Sequence, residues 1–226
     1  MEVDDILRDF EKSTQKDQDL YKSLTTAMLN ERMAPELLPY QQSLLEDVLS
    51  KISSQQQFLL DSHEYGDINI DSGIITSDFK LQLMIIETDI ERLNYLVRSY
   101  LRVRLSKIDK FSIHYIDMIS TNRDSKLLSF EEQSYISRHF KLMTDLYNGS
   151  FLKKVPQDLA YLDTDSGISM IVKPEIDQLV FIKVNKGDIV LELEDDDELE
   201  LIPGGIYIVK YSLVRRYVDI GDIELI

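Results

Sequence analysis

Three histidines, forty-one carboxylates and twenty-five lysines and arginines carry the ionic chemistry of this 226-residue chain, and no cysteine is present. Without thiols there is no disulfide, no Cys-ligated zinc, no iron–sulfur cluster and no thiol nucleophile. His63, His114 and His139 lie on separate elements without metal-ligand spacing, so structural or partly exposed roles are expected of them. The stretch DSHEYGDINIDS at 61–72 has Asp first and Gly sixth, as a calcium loop requires. His63 and Tyr65 occupy its third and fifth positions, and Ser72 stands where the bidentate Glu belongs. DTDSG at 163–167 places its glycine one residue early. Both stretches read as loops. No GxxxxGK[ST], GxGxxG or GxSxG motif occurs. The expectation is a chain with no catalytic, cofactor-binding or metal site.

The remaining charge is concentrated in two places. ELEDDDELE, at 192–200, packs seven acids into nine residues. It reads as a solvated hairpin loop or as a charged contact for a basic partner. Arg92, Arg98, Arg102, Arg104, Lys107 and Lys110 lie along one long helical pattern, with Arg98 and Arg102 about 40° apart around the axis. Two readings stay open for these cations: pairing with the chain's own carboxylates, or pairing with acidic groups of another subunit. Direct nucleic-acid contact is disfavoured by the net charge of −16 and by the lack of interleaved exposed aromatics.

These side chains must be positioned by an α+β architecture. Leu20, Leu24, Ala27 and Met28 begin a helix that runs to about Met33, with Pro35 and Pro39 beyond it. A second helix runs from about Pro39 to Asp61, and residues 62–76 read as a loop. The pattern Ile86, Ile90, Leu93, Val97, Leu101, Leu105, Ile108 predicts a helix of roughly 40 residues over 77–116, long enough that it is either broken once or buried by several neighbours. Ser129 and Glu132 have capping-box spacing and open a fourth helix, which Asn148-Gly149 should end. Short β-type runs follow at 170–172, 179–184, 189–193 and 206–211, then a short helix over 213–218 and a last strand over 223–226. The expected organisation is a tail at 1–19, a helical domain at 20–150, a linker at 151–168 and a small β-rich domain at 169–226. No run reaches the roughly 18 apolar residues of a membrane span, and the acidic start does not read as a signal peptide.

The opening MEVDDILRDF stands apart. Val3, Ile6, Leu7 and Phe10 form an amphipathic stripe, while residues 11–19 hold no apolar side chain. A stripe this short, tethered this way, suits a helix-in-groove ligand that orders on binding. A frayed first turn packed on the bundle is the other reading.

Several segments resemble a known family. LNERMAPELL at 29–38, IERLNYLVRSYLRVRLSKIDKF at 90–111, VKPEIDQLVFIKV at 172–184 and IYIVKYSLVRRYVDIGDIELI at 206–226 are similar, in order, to the fungal type of the Sld-five subunits of the eukaryotic GINS replication complex. That resemblance implies a helical A domain followed by a β-rich B domain. It implies no active site and a nuclear location. It also implies a heterotetramer with three Psf-type subunits, acting with the MCM hexamer and the Cdc-forty-five protein as the replicative helicase. With an over-long helix to cover, Arg98, Leu101, Arg102 and Leu105 are expected at a subunit interface, and the apolar ending makes Ile223, Leu225 and Ile226 expected to be docked, either in a strand or at a subunit contact. The resemblance further matches DDIL-x-x-apolar to a motif that docks on the trimeric Ctf-four hub, with Ile6 and Leu7 filling the groove, Asp4 and Asp5 in polar contacts, Val3 as an added anchor and Phe10 where Leu is expected. Two readings from other classes are an acidic adaptor or chaperone that masks basic proteins, and an enzyme with an unrecognised carboxylate site.

Overall fold

The computed structural model describes residues 3–68, 77–121, 127–156, 164–165, 168–169, 171–187, 189–192 and 198–226, with side chains within 3–17, 63–68, 77–78 and 164–169 outside the description. The chain forms two compact units. One combines Met1–Met28 with Gln41–Leu101, the other Leu29–Tyr40 with Arg102–Ile226. The division thus falls inside two helices, whereas the change in sequence texture falls after residue 150.

The first unit is built from three helices: α1 (Val3–Met33) up to Met28, α2 (Gln42–Ile68), and α3 (Ser77–Lys110) up to Leu101. Their 3.6-residue spacing turns Leu24, Leu45, Val48, Ile52, Ile90 and Val97 inward, where each is buried. The polar face of α2 is tied by Gln42–Glu46 and Gln57–Asp61 side-chain bonds of 2.8 Å, the i,i+4 spacing that helps a helix surface. Two expectations change here. Residues 11–19, expected as a tether, are helical, because a run of Glu, Lys and Gln without Gly or Pro has nothing to break a helix. Residues 62–68, expected as loop, continue α2 through Gly66, since one interior glycine costs only about 1 kcal/mol.

In the second unit the long helical run breaks once. Phe111, at φ −117 and ψ 29, leaves helical geometry and becomes the N-cap of α4 (Ser112–Ser120). The bend lets Ile108, Phe111 and Tyr115 share one core with Leu37, Leu128 and Ile136. The last of these belongs to α5 (Phe130–Ser150), which opens on the predicted capping box: the Ser129 side chain accepts from the Glu132 N–H, and the Glu132 carboxylate accepts from the Ser129 N–H. The helix continues through Asn148-Gly149 to Ser150. A short 3₁₀ turn, Leu152–Lys154, follows.

The β region starts with a two-residue pair, β1 (Thr164–Asp165) against β2 (Ile168–Ser169). Residues 171 and 172, expected in a strand, are in none; they precede β3 (Leu179–Val184) as irregular chain. β4 (Ile189–Glu192) and β5 (Glu198–Leu201) form an antiparallel pair around the acidic stretch. β6 (Ile206–Lys210), α6 (Tyr211–Ile220) and β7 (Ile223–Leu225) complete the chain. The main sheet has the order β6-β3-β7, antiparallel throughout. Gly221, at φ +87, ends α6 in the left-handed conformation, and the Asp222 N–H reaches back to the Tyr217 carbonyl at 3.0 Å; a side chain at that position would be strained.

Period-two alternation sends Val180, Ile182, Val184, Val209, Ile223 and Leu225 to one face of this sheet, where α6 supplies Tyr211, Val214 and Val218 and β4 and β5 supply Ile189, Leu191 and Leu201. Ala34 and Leu38, more than 140 residues earlier in sequence, complete the same core. A β region this small closes its interior by borrowing a segment from between two helices. The opposite face of the sheet is also apolar. Leu179, Phe181, Ile206, Ile208 and Ile226 point outward with exposures of 41–65%.

Candidate functional site

The densest polar arrangement among the described residues lies in the second unit, around the LNERMAPELL segment. Arg104, on α3 and fully buried, uses all five of its donors. Nε and Nη2 grip Glu132 Oε1 and Oε2 at 2.7 and 3.0 Å. Nη1 donates to Glu31 Oε2 at 2.9 Å and to the Leu38 carbonyl at 2.7 Å. Nη2 also donates to the Leu127 carbonyl at 2.8 Å, and the Tyr40 ring lies 5.2 Å from the guanidinium. The fixed fork of a guanidinium is what allows one side chain to tie three segments at once. Glu132 is therefore shared: it caps its own helix and receives the arginine.

One turn further along α3, the Lys107 ammonium donates to Glu31 Oε1 at 2.8 Å, to the Glu36 carbonyl at 2.7 Å and to the Glu31 carbonyl. Burial pulls its pKa below the usual lysine value, although the Glu31 carboxylate works the other way. Glu36 faces α6 instead. It accepts from Arg215 Nε at 2.6 Å and from the Tyr211 hydroxyl at 3.1 Å. Burial raises its pKa, and Arg215 and Tyr211 only partly offset that. The Tyr115 hydroxyl accepts the Leu37 N–H at 3.1 Å, and Asn30 Oδ1 accepts the Leu225 N–H at 2.8 Å. The Tyr115 and Tyr211 hydroxyls are held protonated, their pKa values raised first of all by burial.

This constellation has the charges of an active site but not its openness. The arginine's donors and the lysine's are spent on the chain's own oxygens. Its effect is positional: it fixes Leu29–Tyr40 against α3 and α5 on one side and against α6 and β7 on the other. Among the described residues no group of three or more His, Asp or Glu side chains is placed to hold a metal ion. No helix among them is long and apolar enough to cross a membrane.

The residues singled out from sequence separate into three groups. Arg98 and Arg102 are exposed, and among the described residues neither makes an ion pair or a side-chain hydrogen bond; Leu101 is half-buried and Leu105 is 36% exposed. Ile223 and Leu225 are buried in the chain's own β core, while Ile226 remains exposed at the sheet's outer face. Val3, Asp4, Asp5, Ile6, Leu7 and Phe10 belong to α1, but their side chains lie outside the described residues. The long-helix cations are thus divided by their position on one helix: Arg104 and Lys107 turn inward to carboxylates, and Arg98 and Arg102 turn to solvent. His114 tilts against Tyr115 at 5.3 Å, and His139 stacks on Tyr135 at 5.9 Å. The side chains of His63 and of the second tested calcium stretch lie outside the described residues, although the backbone of Thr164–Asp165 forms β1.

Comparison with known proteins is consistent along the whole chain. Residues 40–151 match the family described as GINS complex protein helical bundle domain, and residues 174–226 match the C-terminus of the DNA replication complex GINS protein SLD5. A Debaryomyces hansenii protein of that name is 56% identical over 241 residues, covering 100% of this chain and 98% of the relative. The Schizosaccharomyces pombe protein is 32% identical, with 100% and 99% covered. The Saccharomyces cerevisiae protein is 32% identical, with 91% and 80% covered.

Proposed function

We propose, from the premise that the chain belongs to the Sld5 family of GINS complex proteins, that it is a non-catalytic assembly subunit of the replicative helicase. In this reading it joins three Psf-type subunits in a heterotetramer. The tetramer acts with the MCM hexamer and the Cdc-forty-five protein, in the nucleus, during initiation and elongation of DNA replication. The observation that carries the reading is similarity over the full length to relatives named as GINS replication proteins. The saturated charge network supports it, because side chains that could do chemistry are spent on holding the fold together. The exposed apolar side chains on α3 and α5, including Leu81, Met84, Tyr95, Leu142 and Leu146, supply surface that a lone soluble chain has no use for. Co-expression with the three Psf-type subunits tests this. The expected result is a complex with one copy of each that survives salt of about 1 M, where screening leaves apolar interfaces intact. A stable monomer with no gain on adding partners contradicts it. Binding to basic proteins that fades at moderate salt would favour the acidic-adaptor reading, which rests on the net charge of −16.

The N-terminal stretch has a separate role in this proposal. Ile6 and Leu7 dock on the trimeric Ctf-four hub, with Asp4 and Asp5 in polar contacts and Val3 and Phe10 as flanking anchors. The spacing of these residues on one helix face supports it. Replacing Ile6 and Leu7 by Ala should abolish hub binding and spare the tetramer. Collapse of the tetramer would instead assign the segment to the fold.

A further inference from the structure

The two edges of the main sheet are finished differently. At the β7 edge, the outward N–H of Leu225 is capped by Asn30 Oδ1. Among the described residues the β6 edge has no such cap. The bonds from Tyr211 N–H to the Gln178 carbonyl and from Val184 N–H to the Gly205 carbonyl fix the phase of the β3–β6 ladder. By antiparallel alternation Tyr207 and Val209 exchange bonds with Ile182 and Val180, and Ile206 and Ile208 turn their N–H and C=O groups away from β3. Among the described residues no hydrogen-bond partner meets these outward groups of Ile206 and Ile208. The same two residues place their side chains on the outer sheet face at 65% and 57% exposure, beside Phe181 and Leu179. An edge that is both unpaired and apolar is what soluble proteins usually blunt.

We propose that β6 accepts an extended segment of another subunit of the complex, added as a further strand of the β6-β3-β7 sheet. This rests on the assembly reading above and gives it a specific surface. The outward backbone row calls for an extended chain and not a helix. The outer face calls for apolar side chains at alternate positions of the incoming strand. Lys183 stands at one end of that apolar row, beside Ile206, so an acidic residue next to the incoming apolar pair is favoured there. A second copy of this chain is disfavoured as the occupant, because each copy carries a net charge of −16.

Proline substitution separates strand addition from folding. The Ile208 N–H points to the open edge, so Ile208→Pro removes an outward donor and leaves the β3–β6 ladder intact. Ile208→Ala keeps the donor and trims the same side chain. Val209→Pro removes an N–H that bonds Val180 and serves as the control for broken folding. Each variant is co-expressed with the three partner subunits, and complex yield at high salt is read together with the far-ultraviolet circular dichroism of the recovered chain. The expected result is loss of the complex with Ile208→Pro at wild-type helical and strand content, partial retention with Ile208→Ala, and loss of folded chain with Val209→Pro. Wild-type yield with Ile208→Pro overturns the proposal, as does a doubled mass showing β6 paired with its own copy. Failure of the unsubstituted chain to form any complex would instead strike at the assembly reading itself.

Discussion

Two regions of the second unit sit a few strands apart and are finished in opposite ways. Around Leu29–Tyr40 a charged cluster is buried, and its cations are fully engaged by the same chain. On the outer face of the β6-β3-β7 sheet, apolar side chains are exposed, and edge backbone groups have no partner among the described residues. Ordinary expectation would reverse this, with charge outside and apolar groups inside. The charge is internal architecture, and the apolar sheet face is the surface on which the proposed strand addition would take place. The same contrast runs along α3, where Arg104 is fully buried and Arg102, two residues earlier, is exposed.

The comparison breaks most sharply at Arg104. Arg104→Met should destabilise the second unit by about 3–5 kcal/mol, because Glu132 would remain buried without its cation and Glu31 would keep only Lys107. Denaturant unfolding of the chain measures it. Adding Glu132→Gln to that variant should recover part of the loss, since the amide oxygen can still accept the Ser129 N–H, no carboxylate is left there unpaired, and Glu31 stays with Lys107.

On the other side, Phe181→Lys should change the chain's own unfolding free energy by no more than about 0.5 kcal/mol, as expected for an exposed position, yet lower the yield of the assembled complex. A large loss of stability would mean that the outer face is packed in the isolated chain. Between these lies Gly221→Ala, which keeps both regions but strains the turn from α6 into β7. A cost of about 1–2 kcal/mol is expected from forcing a residue with a Cβ into the left-handed region, read as a drop in the unfolding midpoint.

The smallest effect concerns pH. Burial, and to a lesser degree the Lys173 charge, lowers the pKa of His114 below 6.5, while Asp117 opposes them. The unfolded chain then binds more protons than the folded one between that lowered pKa and 6.5, so stability rises with pH across the window and is lost as pH falls through it. His114→Gln should flatten the slope of unfolding free energy in that range. The effect is small because the ring is only partly buried.

Much of this architecture is legible in the residues. The capping box at Ser129 and Glu132 and the alternation of β3 follow from local rules, whereas the length of the third helical pattern left open whether it breaks, as it does at Phe111, or is buried by neighbours. The chain's 41 acids hid the central cluster. Glu31 and Glu36 sit in a segment whose acids look like solvated ones, and only the tertiary fold brings them to Lys107 and Arg215, 76 and 179 residues away in sequence. Asn30 gave no signal at all, because capping an edge strand 195 residues later leaves no periodic trace. Ile223 and Leu225 were legible as docked, but not that their partner is the chain's own core, because burial within a chain and burial at an interface demand the same side chains.

Hydrogen–deuterium exchange on the isolated chain and on the co-expressed complex tests the contrast most directly. Amides in 206–208, with Phe181 beside them, should gain protection on assembly, while Leu29–Tyr40 is equally protected in both states. Unchanged exchange in 206–208, together with protection of Leu29–Tyr40 that appears only in the complex, would contradict it.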